Sequence, residues 1–429
     1  MTSTTLRVAV VGAGMGGLAL GIALRRLGVQ IELFEQSSKL GEVGAAVALS
    51  ANSTRLLRRL GVDGALAPTA AEPAELQFRR WDSGELIAAH PMGERYRQRC
   101  GAPYYGIHRA DLQSALVERL GHEAIRLNHK VVEISEETDG VRLHFEAGEP
   151  AFAHVVVGAD GIHSALRQRV TSSENKAVFS GDIGFRGMIP VEKLPSLPDP
   201  EAIQFWTGPG AHLLHYAMNG GKLVNFLAVT ECPEWNYESW RAPCDVQEAV
   251  EAFEGWHPAV TEMVGAVEGE ASWWALHDYE PLQSWTSGRV VLLGDAAHAM
   301  LPHQGQGANQ AIEDALALAR LLSEVREDND LQRALERYEA LRKPRTRRVQ
   351  RYSRLAARDL HLPDGPEARR RDARLAKVPE DIAWIHEYDI EEDLAGASPG
   401  AASSGNESGV AATVPAAAGV YDYGNGGSR

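Results

Sequence analysis

Cysteine is scarce in this chain. Its 429 residues hold three, Cys100, Cys232 and Cys244. None forms a C-x-x-C pair or falls at metal-ligand spacing, which argues against a disulfide scaffold or a cysteine-bound metal and fits a reducing, cytoplasmic setting. Basic charge is also short. There are 43 Lys and Arg against 58 Asp and Glu, a formal charge of −15, so the broad cationic face that phosphate backbones require is not expected. Long apolar runs are missing as well. A bilayer helix needs about 20 such residues, and the nearest stretch, Val8 to Leu24, is interrupted by Gly12, Gly14, Gly16, Gly17 and Gly21. Five glycines suit a tight turn better than a targeting or membrane helix. No nucleic-acid or membrane partner is expected. What remains is ordinary for a globular protein, with 44% apolar and 24% charged residues. The length suggests two or three domains at roughly 100–200 residues each.

The first forty residues carry a pattern. Leu6 to Val11 is a short β-branched run of the kind a buried parallel strand uses. Gly12-Ala13-Gly14-Met15-Gly16-Gly17 follows as G-x-G-x-x-G. Next come a helical stretch over Leu18 to Leu27 and a second strand over Val29 to Phe34, which ends at Glu35. Gly12 permits the turn, Gly14 lets backbone approach a pyrophosphate, and Gly17 lets helix lie close on strand. The helix N-terminus offers N–H groups and partial positive charge to phosphates. Glu35 stands where an acid accepts from ribose hydroxyls. A lone G-x-G-x-x-G is weak evidence. With strand, helix, second strand and acid in place, it predicts dinucleotide binding.

Further along, Glu75 to His90 reads as a hairpin turning at Asp82-Ser83-Gly84, and Arg109 opens a helix to about Leu120. Val155-Val156-Val157 runs into Gly158-Ala159-Asp160-Gly161. From Gly181 to Tyr279 the pattern is strand-rich, with one helical stretch near Val246 to Phe253. Six of nine tryptophans fall there, which suggests an aromatic-walled pocket or core. Arg289 to Leu293 is another buried strand, reaching Gly294-Asp295-Ala296-Ala297-His298. Helices are expected over about Gly307–Val325, Leu331–Ala357 and Glu367–Tyr388.

Taken in order, the G-x-G-x-x-G with Glu35, His108-Arg109-Ala110-Asp111-Leu112, Gly158-Ala159-Asp160-Gly161 and Gly294-Asp295-Ala296-Ala297-His298 resemble the single-component FAD-dependent aromatic hydroxylases. Salicylate hydroxylase, 3-hydroxybenzoate 6-hydroxylase and 6-hydroxynicotinate 3-monooxygenase are the nearest in kind. The likeness covers about residues 6 to 390. It implies an α/β fold: a Rossmann-like FAD-binding domain from 1–75, 104–181 and 282–358, and an inserted strand-rich substrate domain from 76–103 and 182–281. A helical segment 359–396 and a disordered Ala/Gly/Ser tail 397–429 would follow. For FAD the resemblance implies Gly12, Gly14, Met15 and Gly17 along the pyrophosphate, Glu35 and Gln36 at the ribose, and Val47, Arg109, Val131, Asp160 and Asp295 elsewhere along the cofactor. Gly307 and Ala308 would open a helix toward the flavin edge that gains negative charge on reduction. NADH or NADPH and O2 are the implied co-substrates, and oxygen transfer through a C4a-hydroperoxyflavin is the implied chemistry. A monomer or homodimer without metal is expected.

An electron-rich ring is needed on the substrate side. A phenol titrates at about 10, so a positioned base is useful. His212 and Tyr216 stand four apart, on one face of a strand, at a spacing also found in the hydroxybenzoate and hydroxynicotinate enzymes. His303, in Pro302-His303-Gln304-Gly305, matches the flavin loop of salicylate hydroxylase and is the second candidate base. His215 and His298 read as structural. A carboxylate needs a cation, and Arg186 and Arg79 are the candidates. Ala48 and Pro302 would also face substrate. Relatives often carry a larger polar residue where Ala48 stands, which leaves an amino-hydroxybenzoate as plausible as salicylate. Two alternatives share the cofactor: a monooxygenase or epoxidase acting on a larger aromatic, and a flavoprotein redox sensor without catalysis.

Overall fold

The computed structural model describes residues 6–41, 46–171 and 175–396. The tail 397–429 lies outside them, as do Gly44 and Ala45. Contacts gather the chain through Ile390 into one unit; Glu391–Gly396 belong to a second and are helical.

Two sheets organise the first unit. The smaller has six strands among the described residues, in the order Thr286–Ser287, Val290–Leu292, Val155–Gly158, Arg7–Val11, Gln30–Phe34 and Ile125–Arg126. All neighbours are parallel except the first pair. Parallel sheets are covered on both faces, which is why their central strands read as valine runs. Val8, Val10, Val155, Val156 and Val157 are almost wholly buried. The helix Met15–Arg26 crosses this sheet close to the later helix Gly307–Ser323. A side chain at Gly16 would come within 3.1 Å of the Ala311 methyl.

The larger sheet has eight strands, ordered Arg241–Cys244, Ala271–Asp278, Val178–Pro190, Leu223–Glu231, Ala211–Met218, Ile203–Gly208, Glu75–Arg80 and Leu86–Pro91. The expected hairpin supplies the last two. Cross-strand partners assign the two faces. Phe185, Trp206, Leu213 and Phe226 point to one face and pack against Phe253, Val260 and Met263. Those residues come from the Val246–Gly265 region, which holds two helices rather than the single expected one. The second begins at Pro258, where His257 caps by accepting from the Ala259 N–H. Proline in the first turn is a start signal that was legible in the sequence. Trp206, Trp256 and Trp273 belong to this helix-covered core, so half of the six tryptophans in that stretch are packing rather than pocket wall. The opposite face presents Leu76, Phe78, Ile203, Phe205, Leu214 and Tyr216.

The helix Asp328–Leu360 runs unbroken through residue 358 with Pro344 inside it. The helix expected over Glu367–Tyr388 is instead three short ones, Pro366–Leu375, Val378–Asp381 and Ala383–His386. Pro379 cannot donate to the preceding turn, which accounts for a restart there. Among the described residues no helix is long and apolar enough to cross a membrane.

Candidate active site

The dinucleotide turn can be tested glycine by glycine. Gly12 sits at φ +106, and a Cβ there would lie 2.3 Å from the Ala159 carbonyl oxygen. A Cβ on Gly17 would lie 2.1 Å from the Gly12 carbonyl oxygen. Both positions exclude a side chain for reasons internal to the fold. Gly14 differs. Its φ is an ordinary −74, and among the described residues nothing lies within 4 Å of a Cβ built on it. The fold leaves that space open at the start of a helix that no side chain caps and no acid occupies in its first turn. A phosphate fits such a cradle. Gly14→Ala is therefore expected to fold like wild type yet bind FAD at least roughly tenfold more weakly, a loss of about 1.4 kcal/mol. Gly12→Ala should instead lower stability of the flavin-free protein. Thermal melts and flavin titration of the two variants separate these outcomes; equal flavin affinity for wild type and Gly14→Ala would remove the phosphate from this turn.

Around the turn, the Glu35 carboxylate accepts from the Ala13 and Ser37 N–H groups, both at 2.9 Å, which holds it at the mouth of the loop. Gln36 beside it is exposed. The helix Arg109–Leu120 is tied to the turn by Gln113 Nε2, which donates to the Ala13 carbonyl at 3.1 Å, so Arg109 opens that helix near the same place. Val131 begins the strand Val131–Glu137, just after His129, whose N–H donates to the Glu35 carbonyl. Asp160 has a role the sequence did not announce. Its carboxylate accepts from Ser164 Oγ at 2.6 Å and from the Ala165 N–H at 2.9 Å, capping the helix Ala165–Val170.

The residue joining the two later motifs was missed in the sequence. Arg167 is buried and donates to the carbonyls of Ile162, Asp295 and Ala296 at 2.6–2.8 Å, with Tyr279 under its guanidinium. It holds the turns after Gly158 and Gly294 together. Asp295 is left exposed, and its carboxylate lies beside Gly307, 3.7 Å from where a Cβ would stand. Gly307 and Ala308 open the helix Gly307–Ser323, again without a side-chain cap or an acid in the first turn. Its buried acids hold the loop in place: Asp314 accepts from the Gly294 N–H at 3.0 Å and contacts His298 Nε2 at 2.6 Å.

A second set of residues converges on the open face of the large sheet. His212 and Tyr216 lie on the strand Ala211–Met218, and both are buried. His303, on the short turn Pro302–Gln304, brings its ring centroid to 5.2 Å from that of His212. His303 is 2% exposed and, among the described residues, neither ring nitrogen has a partner. A polar group so placed awaits a ligand or water. Ala48 and Tyr216 share an apolar cluster with Phe205, Leu214 and Tyr104. Ala48 lies next to Gly305, two residues from His303. Its strand, which includes Val47, pairs with Tyr105–His108 and is tied to the Gly307 helix by Asn309 Nδ2, which donates to the Ala48 carbonyl. Pro302 is half-buried at the start of the His303 turn.

Electrostatics follow burial. His212 is held well below its ordinary value by burial, then by His303 and His361. His303 is pushed down to about 3 by burial, then by His361. Burial pushes the Tyr216 phenol up. At neutral pH His212 and His303 are neutral and Tyr216 keeps its proton. His215, on the opposite face, has no partner on either nitrogen among the described residues.

Of the two candidate cations, Arg186 shares the His212 face. Leu214 pairs with Leu227, and Leu227 with Arg186. Arg186 is exposed, its guanidinium 4.1 Å from the Trp274 ring centroid, two strand spacings or roughly 10 Å from the His212 strand. Arg79 is not available. It pairs across strands with Trp206 on the helix-covered face, and it donates to Gln204 Oε1 at 2.9 Å and to Asp199 at 2.7 Å. The sequence missed this because alternation alone does not say which face of a sheet the helices cover.

Residues 5–353 match the FAD_binding_3 family, an FAD binding domain. The chain belongs to the FAD-dependent aromatic-ring monooxygenases. It is 43% identical over 385 residues to a 3-amino-4-hydroxybenzoate 2-monooxygenase of Streptomyces platensis, covering 89% of this chain and 96% of the relative. A protein of the same activity from Streptomyces cremeus is 40% identical, covering 90% and 96%. The 6-hydroxynicotinate 3-monooxygenase of Bordetella bronchiseptica is 35% identical, covering 81% and 90%. Among solved structures, a salicylate hydroxylase substrate complex superimposes with a TM-score of 0.80 at 30% identity, covering 92% of this chain and 98% of that one. The monooxygenase reading of the sequence stands.

Proposed function

We propose that this monooxygenase hydroxylates 3-amino-4-hydroxybenzoate, or a close amino-hydroxybenzoate, at the ring carbon beside the amino group. Support comes first from the relatives that bear that activity at 40–43% identity over 89–90% of the chain. The small Ala48 side chain next to the His303 loop agrees with a ring carrying one more substituent than salicylate. Bound FAD supplies reduction by nicotinamide and activation of O2 for transfer to an electron-rich ring. The chain's own residues do the rest. His212, neutral in its buried site, accepts the phenolic proton so that the ring approaches phenolate. Tyr216, four residues along the same strand, keeps its hydroxyl proton and orients the substrate by hydrogen bonding. His303 faces His212 from the flavin side and completes the polar wall. Arg186, one of the cations on this face, meets the carboxylate. Phe205, Leu214 and Tyr104 exclude water from the ring.

The test is a panel of 3-amino-4-hydroxybenzoate, 4-hydroxybenzoate, 3-hydroxybenzoate, salicylate and 6-hydroxynicotinate, each with FAD and with NADH or NADPH in turn. The expected result is gain of one oxygen atom by the aminophenol and fast coupled nicotinamide oxidation. If salicylate were hydroxylated and the aminophenol only provoked peroxide, the substrate assignment would be wrong. Peroxide alone with every compound would favour the sensor.

A further inference from the structure

His361 was not singled out in the sequence, and the site above uses it only as a neighbour that lowers His212 and His303. It caps the C-terminus of the helix Asp328–Leu360 and is 6% exposed. Its Nε2 lies 2.7 Å from Nδ1 of His212. Its other nitrogen, Nδ1, lies 3.7 Å from Asp182 Oδ1 and 3.9 Å from Glu231 Oε1. Both separations are ion-pair contacts longer than a hydrogen bond, which a small rotation of either side chain closes. Asp182 and Glu231 are cross-strand partners on the His212 face of the sheet. The Asp182 side chain is 11% exposed and that of Glu231 63%. The backbone fixes the arrangement. The Gly210 N–H donates to the His361 carbonyl at 3.0 Å, and the Glu231 N–H donates to the Gly210 carbonyl at 2.9 Å. A file of titratable groups thus leads from His303 and His212, through His361, to carboxylates at the surface.

We propose that His361 is a proton-relay residue, carrying the phenolic proton from His212 to Asp182 and Glu231 and so to solvent. The proposal rests on the aromatic-hydroxylase reading above. As the phenol O–H bond breaks, a new N–H forms on His212. Nδ1 of His212 gives its proton to Nε2 of His361, and Nδ1 of His361 gives its own to the carboxylates. Reverse transfer reprotonates the product and restores both tautomers. An exit is needed because the proton cannot rest where it is first taken. Burial pushes the His361 imidazolium down to about 4 and holds that of His212 well below its usual range. Asp182 is a better receiver, with burial and then Glu231 raising its carboxyl to about 6. The titratable groups against His361 are therefore His212 from the Ala211–Met218 strand, His303 from its turn, Asp182 from the Val178–Pro190 strand and Glu231 from the Leu223–Glu231 strand.

The experiment mixes oxidised holoenzyme with 3-amino-4-hydroxybenzoate in weak buffer and follows proton release with an indicator dye. The bound ring's phenolate absorbance is read at the same time. In His361→Gln, proton release should slow by at least about tenfold and gain a larger solvent deuterium effect, with substrate affinity and the flavin spectrum unchanged. Imidazole should restore the rate in His361→Gly. The Asp182→Asn/Glu231→Gln pair, which leaves every imidazole in place, should slow release as well. In flavin-free protein, His361→Gln should shift the His212 ring nitrogen resonances, a readout independent of turnover. Release at wild-type rate in both His361→Gln and the carboxylate pair overturns the relay while leaving the substrate assignment intact. A wild type that binds no phenolic acid overturns both.

Discussion

Replacing Arg342 by Met is expected to destabilise the protein by about 3–5 kcal/mol, the cost of leaving buried carboxylates uncompensated. Arg342 is fully buried, with Nη1 at 2.6 Å from Glu313 and Nε at 2.6 Å from Asp314. Met keeps most of the volume, so cavity formation is a small part of the loss. Glu313 retains Arg345 at 2.7 Å, whereas Asp314 keeps its contact with His298 Nε2 at 2.6 Å. The effect reaches the Gly294 turn beside Asp295, since Asp314 also holds it. Acid sensitivity should follow. Burial alone would raise the Asp314 carboxyl, but His298 and Arg342 outweigh it and bring it down to about 2. A folded-state value below the unfolded one of about 3.9 means this stabilisation is full above that pH and is lost as pH falls toward 2. Without Arg342 the loss should begin at higher pH. Urea unfolding of wild type and variant at neutral and acid pH measures both effects. A change under about 1 kcal/mol would mean that the cluster contributes nothing net.

His212→Gln is expected to lower hydroxylation by about 10²–10⁴-fold, the range for loss of a positioned general base. Glutamine fits the buried site and can hydrogen-bond to His361, but it cannot take up the phenolic proton. The flavin spectrum and unfolding midpoint should stay near wild type. Nicotinamide oxidation should continue, now yielding peroxide, because the residues around the dinucleotide turn are untouched. Single-turnover product formation within about tenfold of wild type would remove the base assignment, and the relay built on it would lose its first member.

How far the sequence could be read differs between the two halves of the site. The dinucleotide turn was legible because its constraints are local: Gly12, Gly14, Gly17 and Glu35 lie within 24 residues, and each answers to a backbone requirement that strand, turn and helix impose. His212 and Tyr216 were legible together because alternation puts residues four apart on one face. That same alternation placed His215 opposite, where the structure has it. It could not say that Arg79 shares the helix-covered face, because face assignment needs the partner strand Ile203–Gly208, more than a hundred residues away. Arg167 and His361 carried no local signal. Their partners lie 128 and 149 residues distant in the chain.

The sequence by itself determined that this chain holds a dinucleotide and is an aromatic hydroxylase, because short-range backbone geometry and the order of motifs are written residue by residue. Only the tertiary structure decided which of the two arginines shares the His212 face, that His303 meets His212, and that His361 stands behind them with carboxylates leading outward. Those pairings arise when the large sheet, the His303 turn and the end of the Asp328–Leu360 helix meet, and no periodicity along one segment encodes such a meeting.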